Sequence, residues 1–251
     1  MISRFLGTDS LAAVGYFSPV IALISIMYVI ILGTVILSGN FIGAGQRKKL
    51  NSLFTGSFIS TLAVCTILAL ILMLFKSSWA TFLGATADTA TLLEDYIFGY
   101  APGIIFSNLS ALLLALTSYN NDIPRSYVAA VFLLISNVIL DIILVYPLGI
   151  YGIALASTIS SAVMFAILMP SFLNKNKTIH IDLSNIDFKL VLDAAGLGMP
   201  VLFFIQNFAD KRIFNAFLTE LKQNGIAYEL CDEDVLELPQ IELPWLQSKT
   251  F

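Results

Sequence analysis

Charge is what this sequence has least of. Only 12% of its 251 residues are Asp, Glu, Lys or Arg, while 58% are hydrophobic. A water-soluble domain carries roughly a quarter charged residues, because its surface must be solvated. A chain so poor in charge would show large apolar patches to water, so lipid is the expected solvent. Cysteine is almost missing too. Cys65 sits in an apolar run and Cys231 in an acidic stretch, which excludes a disulfide framework. The single histidine, His180, falls in a polar segment without ligand-type spacing and reads as a solvated loop residue. No basic stripe interleaved with aromatics is present, which argues against nucleic acid as a partner. Nor is there a nucleophile–base pair, so an enzyme is the last reading to consider.

What the sequence does have is six long apolar runs: Leu11–Ser38, Leu53–Phe75, Tyr96–Thr117, Tyr127–Val145, Tyr151–Pro170 and Leu190–Ala209. Each is near the ~20 residues that cross a ~30 Å hydrocarbon core as a helix. They are continuously apolar, whereas strands of a membrane barrel would be shorter and would alternate with polar positions. The expected fold is an all-α membrane protein, a bundle of about six transmembrane helices. The connectors carry the polar punctuation: residues 43–49 are glycine-rich and basic, 120–125 polar with a proline, 146–149 very short, and 174–187 long and polar.

Basic residues collect in alternate connectors. Arg47, Lys48 and Lys49 lie in the first, Arg125 in the third, and Lys175, Lys177 and Lys189 in the fifth. The positive-inside rule then places odd connectors in the cytoplasm, and the expected location is the cell membrane, as a multi-pass protein. The same rule starts the first run outside, which implies a translocated N-terminus or a preceding helix beyond this chain. A signal peptide is a poor alternative, because the first run is too long for an h-region.

Composition changes near Phe217. Seven of the 17 acidic residues lie in 218–251, beginning at Glu220 and ending at Glu242. The expected division is therefore a transmembrane region, 1–217, and an acidic non-membrane tail, 218–251. Within the tail, 219–225 has the pattern of a helix ending at glycine and 226–230 that of a short strand; a loosely structured tail is the plainer reading.

Ionisable groups inside apolar spans are costly and are functional candidates by default. Asp141 lies in the fourth run with Asn137 one helical turn before it, so both side chains leave the same face. A carboxylate and an amide oxygen so placed can hold a proton or a small hard cation such as Na⁺. The competing reading has Asp141 near a helix end, reaching interfacial water. Pro102 and Gly103 interrupt the third run and Gly33 the first, either bending the helices or letting them pack closely. Tyr96, Tyr100, Tyr127, Tyr146 and Tyr151 read as an interfacial aromatic belt.

Several segments then resemble one family. Leu6–Gly15 (LGTDSLAAVG), Gly43–Gly45 with Lys48 and Lys49, Asn137–Asp141 (NVILD), Tyr151–Thr158 (YGIALAST) and Gly196–Pro200 (GLGMP) occur in order. Together they resemble the second to seventh helices of MATE (multidrug and toxic compound extrusion) transporters. The resemblance implies two six-helix lobes and alternating access driven by Na⁺ or H⁺. It implies export of small organic, often cationic, substrates, with no cofactor beyond the coupling ion. Asn137 and Asp141 match the cation site of the amino-terminal lobe, with Ser157 or Thr158 contributing a hydroxyl. The family's first helix, which adds an acidic residue to that site, and nearly all of the second lobe have no counterpart here. A shortened transporter needing a second lobe or second chain is thus expected. The alternatives are an inactive membrane remnant or interaction subunit, and a lipid-linked oligosaccharide flippase of the same superfamily. Spans with almost no Lys or Arg disfavour the last.

Overall fold

A computed structural model describes residues 2–184, 186–208, 229–230 and 236–237. The chain divides into two units, Met1–Leu202 and Phe203–Phe251. In the second, Glu229–Leu230 (β1) pairs antiparallel with Leu236–Glu237 (β2), so Glu229 faces Glu237 and Leu230 faces Leu236. β1 falls in the stretch expected to form a short strand. The helix expected at 219–225 lies outside the described residues.

The first unit is helical. Its elements are α1 (Ile2–Tyr16), α2 (Ser18–Ile24), α3 (Tyr28–Gly43), α4 (Arg47–Leu74), α5 (Lys76–Phe82), α6 (Ala87–Leu116), α7 (Ile123–Leu168), α8 (Pro170–Leu173) and α9 (Phe188–Phe208). Among the described residues four segments are long and apolar enough to cross a membrane: Leu6–Gly43, Arg47–Leu74, Thr89–Asn120 and Ile123–Leu173. α9 adds a further 21-residue apolar helix over the sixth run. Large apolar side chains face outward all round the bundle; Leu134 is 67% exposed and Ile143 58%. Water would not tolerate that surface, whereas hydrocarbon matches it.

The first run is not one straight helix. Pro19, at the start of α2, has no amide hydrogen to continue α1, and a 3₁₀ turn at Ser25–Met27 separates α2 from α3. α6, by contrast, passes through Pro102 without a break, so Pro102 and Gly103 do not divide the third span.

The fourth and fifth runs are two limbs of α7. Its 46 residues would extend roughly 70 Å if straight, about twice the hydrocarbon core. Pro147 and Gly149 break it; Gly149 has φ 57° and ψ −134°, a conformation outside the helical region. The limbs then run back along each other. Near the bend, Gly152 packs on the Leu144 carbonyl. Midway, Asn137 Nδ2 lies 3.3 Å from Ser157 Oγ, and at the open end Arg125 Nη1 donates to the Ile167 carbonyl at 3.0 Å.

Two apolar clusters stack inside the bundle. One gathers Phe17, Leu72, Leu93, Tyr96, Ile97 and Ile104. The other gathers Leu50, Phe54, Leu112, Leu116, Leu168 and Phe172. Small residues let backbones touch between them. A Cβ on Gly33 would fall on the Ala194 carbonyl, and one on Gly198 would fall on the Val29 carbonyl. Gly33 therefore serves close packing of α3 on α9.

The long polar connector before α9 is a strap pinned by side chains. Asn51 Oδ1 accepts the His180 N–H at 3.2 Å, Thr55 Oγ1 the Asp182 N–H at 2.9 Å, and Ser52 Oγ the Asp187 N–H at 2.9 Å. His180 is accordingly half-buried with its ring 3.3 Å from Asn51 Nδ2, and is not the freely solvated residue expected from the sequence. Ser184 donates to Asp182 from both its hydroxyl and its N–H, holding that exposed carboxyl below the usual range.

Candidate functional site

The first limb of α7 turns Tyr127, Val131, Leu134, Ile135, Val138 and Ile142 outward. Asn137 and Asp141 sit at the inner edge of that apolar arc and are half-buried. One turn of helix separates them, roughly 5–6 Å between Cβ atoms. The α7 hairpin brings Ser157 from the second limb to Asn137, with Nδ2 donating to Oγ at 3.3 Å. Three of the four expected site residues are thereby assembled from two limbs of one helix.

Thr158 turns the other way. Its hydroxyl donates to the Gly99 carbonyl of α6 at 2.8 Å and is buried there. Gly103 packs on the same threonine, where an added Cβ would lie 2.5 Å from Oγ1. Ser157 and Thr158 are adjacent and therefore about 100° apart on a helix, so only one of them can face Asn137.

One oxygen of Asp141, Oδ1, is buried and has no hydrogen-bonding partner among the described residues. Buried polar atoms are nearly always paired, and an isolated one costs of order 1–3 kcal/mol. Such a carboxylate oxygen can take up a proton or join a cation. Asn137 Oδ1 and Ser157 Oγ supply further neutral oxygens of the kind that hard cations accept.

Sequence reasoning missed the aromatic wall behind this group. Tyr96 lies within electrostatic reach of Asp141 and is 8% exposed. It stacks on Tyr100 with ring centroids 5.7 Å apart, and Phe17 meets both rings edge-on at 5.3 Å. Of the expected belt, Tyr127 and Tyr146 are exposed, whereas Tyr96 is a core residue and the half-buried Tyr100 packs against the same cluster. Their four-residue spacing, which puts both rings on one helical face, was the available signal.

The MatE family's sequence model matches residues 1–146. Among curated proteins, the probable multidrug resistance protein YoeA of Bacillus subtilis is 27% identical over 216 residues, covering 79% of this chain and 46% of YoeA. Among solved structures, an inward-facing multidrug resistance MATE family transporter of the MOP superfamily superposes with a TM-score of 0.72 at 23% identity. That match covers 80% of this chain and 47% of the other. The Vibrio cholerae MATE transporter VcmN in its bent form gives a TM-score of 0.71 at 21% identity, covering 89% and 51%. The chain spans about half the length of the relatives it matches.

Proposed function

This chain belongs to the MatE family of membrane transporters, and from that premise we propose that its bundle is one lobe of a cation-coupled exporter. The exporter moves small organic, often cationic, compounds across the cell membrane in exchange for Na⁺ or H⁺. Asp141 is the titrating or ion-binding carboxylate, with Asn137 and Ser157 lending oxygens beside it. Thr158 holds the second limb of α7 against α6, which keeps Ser157 aimed at Asn137.

The observation that carries this reading is the unpartnered Asp141 Oδ1 in a segment most of whose large apolar side chains are exposed on the outside of the bundle. A carboxylate so placed is expensive unless it exchanges charge as part of a cycle. With H⁺ the group alternates between neutral and ionised forms. With Na⁺ the neighbouring oxygens replace part of the ion's hydration shell. Alternating access needs two bodies that rock against each other, so a second lobe completes the machine.

Expression in an efflux-deficient host tests the proposal, with dye export read under an imposed Na⁺ or H⁺ gradient. Asp141→Asn is expected to insert normally and to lose gradient-driven export. Export by that variant at the unmodified rate would remove the cation site. Absence of export from the unmodified chain would instead favour the interaction-subunit reading.

A further inference from the structure

The connectors between α3 and α4, α6 and α7, and α8 and α9 meet at one end of the bundle, where Lys177 Nζ donates to the Asn120 carbonyl at 3.1 Å and His180 meets Asn51. The charges of these connectors are unevenly satisfied. Each acid has a local donor. Asp122 takes the Arg125 Nε–H at 2.9 Å, Asp182 takes Ser184, and Asp187 accepts the Lys189 N–H at 2.9 Å. Of the connector cations, Arg125 alone has an ion-pair partner among the described residues, Asp122. Arg47, Lys48, Lys49 and Lys175 are exposed, and none forms an ion pair among the described residues.

Between these connectors lies a cleft of about 460 Å³, bordered by Arg47, Ser118, Tyr119, Asn121 and Thr178. That is within the range of ligand clefts, ~300–1,000 Å³. Its polar groups are a guanidinium, two aliphatic hydroxyls and an amide, the Tyr119 phenol donating instead to the Val35 carbonyl at 3.4 Å, and no carboxylate of the described residues borders it. This is a donor set for phosphate oxygens, and the guanidinium fork suits them best. Two left-handed residues shape the walls, Gly45 at φ 68° and Asn121 at φ 51°, each just beyond a helix end. Ile42 and Leu50 supply an apolar side. A free inorganic anion has no use for that side, whereas the glycerol and first methylenes of a lipid would cover it.

We propose that this cleft binds the phosphate headgroup of an anionic phospholipid, with Arg47 as the principal ligand and Ser118, Asn121 and Thr178 as orienting donors. The lipid supplies the negative charge that the connectors lack, and it joins the α3–α4 turn to the strap through one headgroup. Basic pockets between membrane helices hold anionic headgroups by the same chemistry.

The full chain in nanodiscs of phosphatidylcholine containing a minor fraction of phosphatidylglycerol provides the test, with retained lipid counted by native mass spectrometry. Bound phosphatidylglycerol is expected on the unmodified chain. Arg47→Gln should weaken its retention about fivefold, the effect of one basic side chain near the surface. Lys189→Gln, a cation in the first turn of α9 and off the cleft, should leave retention unchanged, as should Arg47→Lys in large part. Equal loss in Arg47→Gln and Lys189→Gln would mean diffuse surface attraction and would overturn the site. Arg47-dependent binding of inorganic phosphate in pure phosphatidylcholine discs would overturn the lipid as its occupant.

Discussion

Asn137 Nδ2 and Ser157 Oγ stand 3.3 Å apart although twenty residues of a single helical element separate them. In a straight helix that interval is about 30 Å. The whole candidate site therefore depends on one bend, and the bend depends on Gly149. Its φ of 57° with ψ of −134° is open to glycine and costly for residues with a Cβ. Space is not the constraint, since a Cβ at Gly149 would meet nothing within 4 Å.

Gly149→Val is accordingly expected to destabilise the bundle through backbone strain alone, by about 1–3 kcal/mol. Paired cysteines at Asn137 and Ser157 should cross-link readily in the Gly149 background and poorly in the Gly149→Val background. Undiminished cross-linking would show that the hairpin closes without its glycine.

A second contact can be tested by its coupling. A Cβ at Gly103 would lie 2.5 Å from Thr158 Oγ1 but 3.1 Å from Thr158 Cα. Gly103→Ala should thus lower the unfolding temperature in detergent, and much of the loss should vanish when Thr158→Ala removes the hydroxyl. Residues in direct contact show coupling of roughly 0.5–3 kcal/mol. Strict additivity of the two changes would place the clash elsewhere.

Ser157 and Thr158 separate binding from packing. Ser157→Ala removes the oxygen beside Asn137 and is expected to weaken the apparent affinity for the coupling ion by about fivefold to tenfold. Thr158→Val keeps the shape but breaks the bond to the Gly99 carbonyl. It should cost about 1 kcal/mol of stability and leave ion affinity close to unchanged. Ion titration of dye export, set beside thermal unfolding of the same variants, distinguishes the two effects. The reverse pattern would exchange the roles of the two hydroxyls.

The spans were readable from the sequence because hydrocarbon imposes a simple rule, continuous apolarity over a fixed length. Asp141 was readable for the same reason, as an exception to that rule. The short Tyr146–Gly149 connector marked the α7 hairpin. What the sequence could not show was direction around the helix axis. Nothing local decides that Ser157 faces Asn137 while Thr158 faces Gly99; the Thr158 bond to the Gly99 carbonyl and the packing of Gly103 on Thr158 decide it. The strap was hidden for a related reason. Asn51, Ser52 and Thr55 look like the polar start of a helix until the segment that they bind is brought across from 127 or more residues away.

Asn120 makes the strap testable. Its side chain imitates a strand neighbour, accepting the Ile179 N–H at 2.7 Å and donating to the Ile179 carbonyl at 2.9 Å and the Ser171 carbonyl at 3.3 Å. Asn120 is 2% exposed, so Asn120→Ala would leave those backbone groups buried without partners, at about 1–3 kcal/mol each. Part of that cost can be avoided by releasing the strap into water. The expected signature is therefore local, with amide exchange at Ile179 and its neighbours rising at least tenfold while the α7 amides stay protected. Asn120→Asp would retain the acceptor for the Ile179 N–H but lose both donations, and should give an intermediate rate. If Asn120→Ala left exchange at Ile179 unaltered, the backbone of the strap would be held by its bonds to Asn51, Ser52, Thr55 and the Phe172 carbonyl without help from Asn120.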